Sequence, residues 1–389
     1  MNIALLSWES MHSIAVGGLA PHVTELSAGL TRLGHEVHLF TRMGEGQRRY
    51  ELIDGVHYHR CPFEAHPDFA VQIQRMCESF VWHVAETEAY LARPFDIVHG
   101  HDWLTARALV RLKNDHGARA LFTLHSTEYG RCGNTLRDDP MSQHVRHLEW
   151  EGAYVAERVI CVSKTLAKEV NECYQVPAEK ISTVYNGVDV AKYDESVDES
   201  RVRRGLDIGE HDPLVFFAGR MAWQKGPDLL LEAVPTLRFQ FPNMKVVFAG
   251  DGDMRAGLQN RAAELGGVAA TRFVGHQSGH SLVELFKTAD VVCVPSRNEP
   301  FGIVILEAWS AGKPVVATRV GGPAEFVQDY RTGLTVEPVV DDIRRGLRSM
   351  LSDRDGGEWM GMNGRTEAET RFTWDHAARA TEQIYASIV

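Results

Sequence analysis

Short apolar runs alternate with segments of helical periodicity along almost the whole chain, and the alternation runs through the sequence twice. Asn2–Ser7 (NIALLS) is an apolar run, and Leu19, Val23, Leu26, Leu30 and Leu33 then recur at spacings of four, three, four and three. Those spacings place the leucines and the valine on one helix face. Gly34 ends that helix, and Glu36–Thr41 (EVHLFT) is the next strand. Further strands are expected at Asp96–His99, Ala120–Leu124, Val159–Val162 and Ile181–Val184. After a polar stretch between Val190 and Pro213 the pattern restarts with LVFFAGR, MKVVFAGD, TRFVG, DVVCVPS, KPVVATRV and GLTVEP. Repeated strand–helix units in this order predict an α/β fold. It consists of two doubly wound, Rossmann-like parallel sheets covered by helices. The polar stretch lacks apolar periodicity and reads as the linker between them.

Composition narrows the function. The 389 residues suffice for two ordinary domains, with 44% hydrophobic and 24% charged residues. The net charge is −11, and both halves are acidic. This weighs against nucleic acid and against docking on an anionic membrane. No apolar run approaches the ~18 residues of a membrane helix. The N-terminus reads as a buried strand and not as a signal peptide, so a cytoplasmic location is expected. Cys61, Cys77, Cys132, Cys161, Cys173 and Cys293 form no CxxC pair. They read as reduced core residues and not as zinc ligands.

In a doubly wound sheet, ligands bind beyond the carboxyl ends of the strands, and the polar motifs fall there. Glu299 and Glu307, eight apart in PSRNEPFGIVILEAWSAGKPVVA, bracket a loop and the start of a helix. The reading places Glu307 about two turns into that helix. At Phe301, Gly302, Ile303 and Val304 the free backbone N–H groups and the helix dipole suit a phosphate or a sugar hydroxyl. Gly302 allows close approach. Arg220 and Lys225, in GRMAWQKG, follow a strand and precede a helix with proline in its first turn. Such a pair can neutralise a diphosphate. Gly17-Gly18 before the first helix permits a phosphate contact but lacks the full G-x-G-x-x-G, so a nicotinamide or flavin site is unsupported. His99 and His101 follow a strand, with no third metal ligand evident nearby. His125 and Glu128, in FTLHSTEYGR, follow another strand. They read either as substrate contacts or as parts of a local hydrogen-bonded loop.

The Glu299–Glu307 segment resembles the E-x7-E signature of the retaining GT-B glycosyltransferases, the large group that includes glycogen, sucrose and trehalose synthases. The resemblance covers the whole chain. It implies two domains facing a cleft, at 1–195 and 208–371, with a helix at 372–389 crossing back onto the first. It implies that Glu299 lies by the donor sugar, and that the amides of Phe301 and Gly302 hold sugar hydroxyls. Those of Ile303 and Val304 hold phosphates, and Glu307 binds the ribose. The G-R-x(4)-K-G match makes Arg220 and Lys225 the diphosphate cations. The AVGGL loop is similar to the K-x-G-G-L loop of starch and glycogen synthases, with Ala15 in the lysine position. The H-D-W segment resembles the same branch, where the histidine, here His101, contacts the donor sugar, and His125 is a further substrate contact. Val274 in FVG would offer its backbone to the nucleotide base. Asn186-Gly-Val-Asp189 resembles a family turn. Asp251-Gly-Asp253 is read as a turn and not as a metal-binding D-x-D.

The function implied is retaining transfer of a sugar, glucose by preference, from a nucleoside-diphosphate sugar to a glycan acceptor, an α-glucan. The route is metal-independent front-face substitution with no cofactor. Transfer to a small sugar, a sugar phosphate or a lipid-linked glycan is the alternative. A sugar-nucleotide epimerase is the alternative of another class. A pyridoxal-type phosphorylase would need a Schiff-base lysine that no motif marks, since Lys313 sits between a helix and a strand.

Overall fold

In the computed structural model, which describes Met1–Val389, the first apolar run is a fully buried strand, β1 (Asn2–Ser7). The first unit comprises Met1–Asn186 and Trp374–Val389. Its other strands are β2 (Glu36–Arg42), β3 (Tyr50–Ile53), β4 (Val56–Cys61), β5 (Ile97–His101), β6 (Ala120–Leu124), β7 (Arg158–Cys161) and β8 (Ile181–Thr183). They form one sheet in the order β3-β4-β2-β1-β5-β6-β7-β8. All neighbours are parallel except β3 and β4, a hairpin at the edge. The sequence reading did not anticipate this hairpin. Its signal is Asp54-Gly55, both residues at positive φ (50° and 77°) between the paired strands, as a two-residue hairpin turn demands.

Chain order reverses between β1 and β5, which pair in parallel through Ile3–Leu6 and Ile97–Gly100. That is the switch point of the sheet, where the loops after β1 and β5 diverge to opposite sides and leave a crevice. The last helix, Trp374–Ala386, packs on the first, Leu19–Arg32. It buries Trp374, Ala377, Ala378, Thr381 and Tyr385. A Cβ on Gly29 would lie 2.9 Å from that of Ala378, so the two helices meet nearly backbone to backbone. The Arg32–Asp375 ion pair alongside is more than half exposed on both sides. Exposed pairs contribute about 0–1 kcal/mol, so apolar packing holds this helix.

The second unit comprises Gly187–Thr373. Its strands are β9 (Leu214–Ala218), β10 (Lys245–Ala249), β11 (Thr271–Gly275), β12 (Val291–Val294), β13 (Val315–Thr318) and β14 (Leu334–Val336). They form an all-parallel sheet in the order β11-β10-β9-β12-β13-β14. Its switch point lies between β9 and β12. Strands buried on both faces read as unbroken apolar runs, which is why this half was predictable nearly to the residue.

The polar stretch 190–213 is more structured than its composition suggests. It carries a 3-10 turn (Ala191–Tyr193) and a helix (Glu199–Gly205) that belong to the second unit. Arg203 anchors it: 7% exposed, it donates to the carbonyls of Gly209, Asp212 and Thr288 and pairs with Asp290 at 3.2 Å. Tyr193 is buried edge-on to Phe286. A segment docked by a guanidinium leaves no apolar period to detect. The units accordingly divide at Asn186/Gly187 and at Thr373/Trp374.

Candidate functional site

In the second unit, the loops after β9 and β12 are tied together. Lys225 Nζ lies 2.8 Å from both carboxylate oxygens of Glu299, which is 4% exposed. Ser296 Oγ donates to Glu299 Oε2 at 2.8 Å. Two further links fix this geometry. Arg297 forms a bidentate pair with Asp228 (2.8 and 2.6 Å) and covers the Trp223 ring. The Gln224 carbonyl accepts from the Arg297 amide, while its side chain donates to Asn298. Gly226 explains why lysine is followed by glycine. Its φ is +63°, and a Cβ there would fall 2.1 Å from the Pro295 carbonyl oxygen. Only a glycine lets the two loops close to the distance of the Lys225–Glu299 pair. Arg220 is exposed, with Nη2 donating to Gln224 Oε1 at 3.3 Å.

The helix after this loop begins at Ile303 and ends at Ser310. Gly302 is its N-cap residue, at φ +99°, and no side chain caps it. The N-terminal turn therefore presents backbone N–H groups and the positive end of the helix dipole without an internal acceptor. Phe301 is buried and stacks obliquely on Phe326, which pins the loop from beneath. Glu307 is the fifth residue of the helix, little more than one turn in and not the two turns expected. The helix starts only after the left-handed Gly302. Burial raises the Glu307 carboxyl to about 7, against the opposing influence of Lys192 and Tyr193.

Val274 lies within β11 and not in a loop, and its carbonyl accepts from Gln277 Nε2 at 2.8 Å. Asp251 pairs with Arg255 and accepts from the Gly252 amide, the bonding of a turn.

In the first unit, imidazoles gather at the switch point. His101 Nδ1 and His125 Nε2 are 3.2 Å apart. His22, from the first helix, packs edge-on to both rings and bonds through Nδ1 to Asn186 Oδ1 at 2.8 Å. His99 stands apart in role. Its two nitrogens go to Tyr385 Oη and Thr123 Oγ1, each at 2.7 Å, and its ring lies against His101. The C-terminal helix thus fixes His99, and His99 fixes the face of His101. Burial lowers the pKa of His22, His99 and His101 well below the usual value and that of His125 to about 3. The cluster is neutral at pH 7.

Asp102 serves this cluster by geometry. It sits at φ +58°, leaves its own helix uncapped and accepts from the His125 amide at 2.8 Å. Burial raises its carboxyl to about 6, opposed by Arg131 and by that amide. Glu128 belongs to the local network: it pairs with Arg131, and Ser142 Oγ donates to it at 2.8 Å. Glu149, fully buried, accepts from Arg131, Tyr174 and the Glu128 amide. The loop carrying His125 is therefore rigid.

Gly17 and Gly18 precede the first helix as expected, but the loop's amides are engaged. Glu9 Oε2 accepts from Val16 N at 2.8 Å and Gly17 N at 2.7 Å. The sequence reading missed Glu9, Asp102, Asn186, Arg297 and Tyr385. Asp102, Asn186 and Arg297 lay inside motifs already singled out, but without these roles. Glu9 and Tyr385 lay in none, and folding brings them to partners 7 and 286 positions away. The reading also found no third ligand near His99 and His101, and the fold supplies His22 and His125.

Comparison with known proteins identifies the family and the fold. Residues 16–192 match the family described as Glycosyltransferase Family 4, and residues 198–367 match Glycosyl transferases group 1. An uncharacterized glycosyltransferase of Methanocaldococcus jannaschii is 36% identical over 99% of this chain and 98% of its own. A glycogen synthase of Mycobacterium tuberculosis is 29% identical over 99% and 94%. Among solved structures, sucrose-phosphate synthase from Thermosynechococcus elongatus matches with a TM-score of 0.83 at 23% identity, covering 99% of this chain and 98% of its own.

Proposed function

The chain belongs to the family 4 glycosyltransferases, with the GT-B fold, and on that premise we propose that it transfers glucose from UDP- or ADP-glucose to an α-glucan with retention of configuration. The observation that carries this reading is the Lys225–Glu299 pair at 2.8 Å, set one residue before the Pro300–Gly302 turn and its uncapped helix. A cation beside an uncapped helix N-terminus suits a sugar diphosphate. Arg220 and Lys225 neutralise the leaving diphosphate. The amides of Ile303 and Val304 hold its oxygens, and those of Phe301 and Gly302 hold sugar hydroxyls. Glu307 accepts from the ribose, and the backbone at Val274 meets the base. Glu299 and His101 orient the sugar, His125 is a substrate contact, and the Gly17-Gly18 loop lets phosphate approach.

Transfer proceeds on one face of the sugar. The acceptor hydroxyl oxygen bonds to C1 as the C1–oxygen bond to the diphosphate breaks. The hydroxyl proton passes to the departing phosphate oxygen. The donor then leaves as nucleoside diphosphate, its growing charge matched by two cations and a helix N-terminus, without recourse to a metal ion. Positioning by Glu299 and His101 accounts for the rest of the rate.

The relationship to a glycogen synthase, together with the H-D-W and HSTEYGR segments, supports an α-glucan acceptor. A second reading, transfer to a small sugar or sugar phosphate, draws on Ala15 and on the Glu9 carboxylate that occupies the neighbouring amides. The test is release of nucleoside diphosphate from UDP-, ADP- and GDP-sugars in EDTA, with and without glycogen or maltooligosaccharides. Release from a glucose donor that rises sharply with glucan is the expected result. Release indifferent to glucan moves the acceptor to a small molecule, and no release with any donor overturns the reading.

A further inference from the structure

We propose that His22, His101 and His125 form a binding site for a transition-metal ion of the imidazole-preferring kind, Zn2+ foremost. One nitrogen of each ring lies within 4.8 Å of one from each of the other two. His101 Nδ1 and His125 Nε2 are 3.2 Å apart. The edge of a tetrahedron with metal–nitrogen bonds of about 2.0–2.1 Å is about 3.3 Å. Two of the three ligands are therefore already at coordination spacing, and the third, from His22, lies within 4.8 Å of both.

The hydrogen bonding is that of a site lacking its centre. Asn186 Oδ1 can only accept, so His22 Nδ1 carries the proton of their 2.8 Å bond. His22 Nε2 is then a bare lone pair, and it has no partner although the residue is 4% exposed. His101 Nε2 is likewise unpartnered, in a fully buried residue. Two orphaned nitrogens in one cluster go against the rule that buried polar groups are satisfied. A metal ion would satisfy His22 Nε2, while coordination through His101 Nδ1 leaves His101 Nε2 to carry the proton of that ring. A carbonyl oxygen on the far nitrogen, as Asn186 provides to His22, is the usual support for a metal-bound imidazole. Three neutral nitrogens with no carboxylate select zinc, copper or nickel over magnesium or manganese, which take oxygen ligands. Three protein ligands leave a fourth position for water or a hydroxyl.

This inference goes beyond the transferase reading, whose route uses no metal. Coordination would withdraw His101 from the sugar, so Zn2+ is expected to inhibit transfer where Mg2+ does not. The deciding experiment measures binding and not turnover. Zn2+ and Co2+ are titrated into metal-stripped full-length protein. One equivalent should bind, and Co2+ should give the strong visible bands of a four-coordinate centre. His125→Ala should weaken Zn2+ binding by at least about 100-fold. His22→Asn, which keeps an N–H for Asn186 but removes the Nε2 lone pair, should do the same. Asn186→Ala should cost about 10- to 100-fold. His57→Ala is the control. Glu36, His38 and His57 also bring ligand atoms within 4.8 Å of one another, but Glu36 is held by Arg93 at 2.6 Å. Binding that survives His22→Asn, or is lost in His57→Ala, overturns the site. So does an enzyme that transfers glucose yet takes up no stoichiometric Zn2+, and that result leaves the transferase reading standing.

Discussion

The switch point of the second unit carries charge, whereas that of the first carries neutral imidazoles. At β9 and β12 a lysine, an arginine and a carboxylate are held by local loops, and each ionised group is paired or exposed. At β1 and β5 three uncharged histidines, two buried and His125 partly so, are assembled from segments far apart in sequence. The contrast reflects the physics of burial. An ion tolerates a site only where a partner or water remains, so the buried Glu299 is met by Lys225 and Ser296 while Arg220 stays exposed. A neutral ring can be buried deeply, and deep burial means that distant elements converge on it.

The comparison can be broken most forcefully at Lys225. Lys225→Ala is expected to lower kcat/KM by about 100- to 1,000-fold, the range for losing one preorganised charge-stabilising group, with the circular dichroism spectrum unchanged. A near-normal rate in the folded variant would remove the charged site from the mechanism. Gly226→Ala is the next largest. Its Cβ would strike the Pro295 carbonyl, so the loops must part. A loss of about 2–4 kcal/mol in urea unfolding is expected, in the range for clashes and strained backbone, together with a fall in rate. Equal stability would mean that the loops are not held as tightly as the bidentate Arg297–Asp228 pair implies.

Tyr385→Phe probes the neutral site through its support. It leaves His99 Nδ1 without its partner at zero exposure. The expected cost is about 1–2 kcal/mol of stability and a smaller loss of rate than at Lys225. A rate loss as large as that of Lys225→Ala would mean that the His99–His101 stack, and not charge, dominates.

Glu307 sharpens the comparison through pH. Its carboxyl rises from 4.5 to about 7 by burial, so the folded protein keeps a proton that the unfolded chain releases. Stability should therefore decline as pH rises from about 4.5 to about 7, and stay level above that. Glu307→Gln should flatten this part of the profile while weakening nucleoside-diphosphate binding several-fold. An unchanged slope in the variant would assign the pH dependence to another group, such as Asp102, whose carboxyl is also raised.

These differences mirror what could be read from the chain. Lys225, Glu299, Gly302 and Glu307 lie in two short segments whose spacing already specified a loop, a turn and a helix start. The Lys225–Glu299 pair itself, across 74 positions, was not legible. The helix Glu199–Gly205 escaped because Arg203, a charged residue, is its buried anchor. The β3–β4 hairpin escaped because its edge strand is exposed and lacks an apolar run, although Asp54-Gly55 marked it.

By itself the sequence determined the alternation of strands and helices, the two parallel sheets, and the motifs placed after β5, β9 and β12. Those follow from local periodicity and from backbone demands of single residues, which act over a few positions. Tertiary structure alone decided that Tyr385 would fix His99, that Asn186 would fix His22, that Glu9 would occupy the amides of Val16 and Gly17, and that three histidines from three elements would share one buried cluster. Hydrogen bonds of that kind form between groups that folding brings to within 3 Å, and no pattern along the chain encodes the meeting.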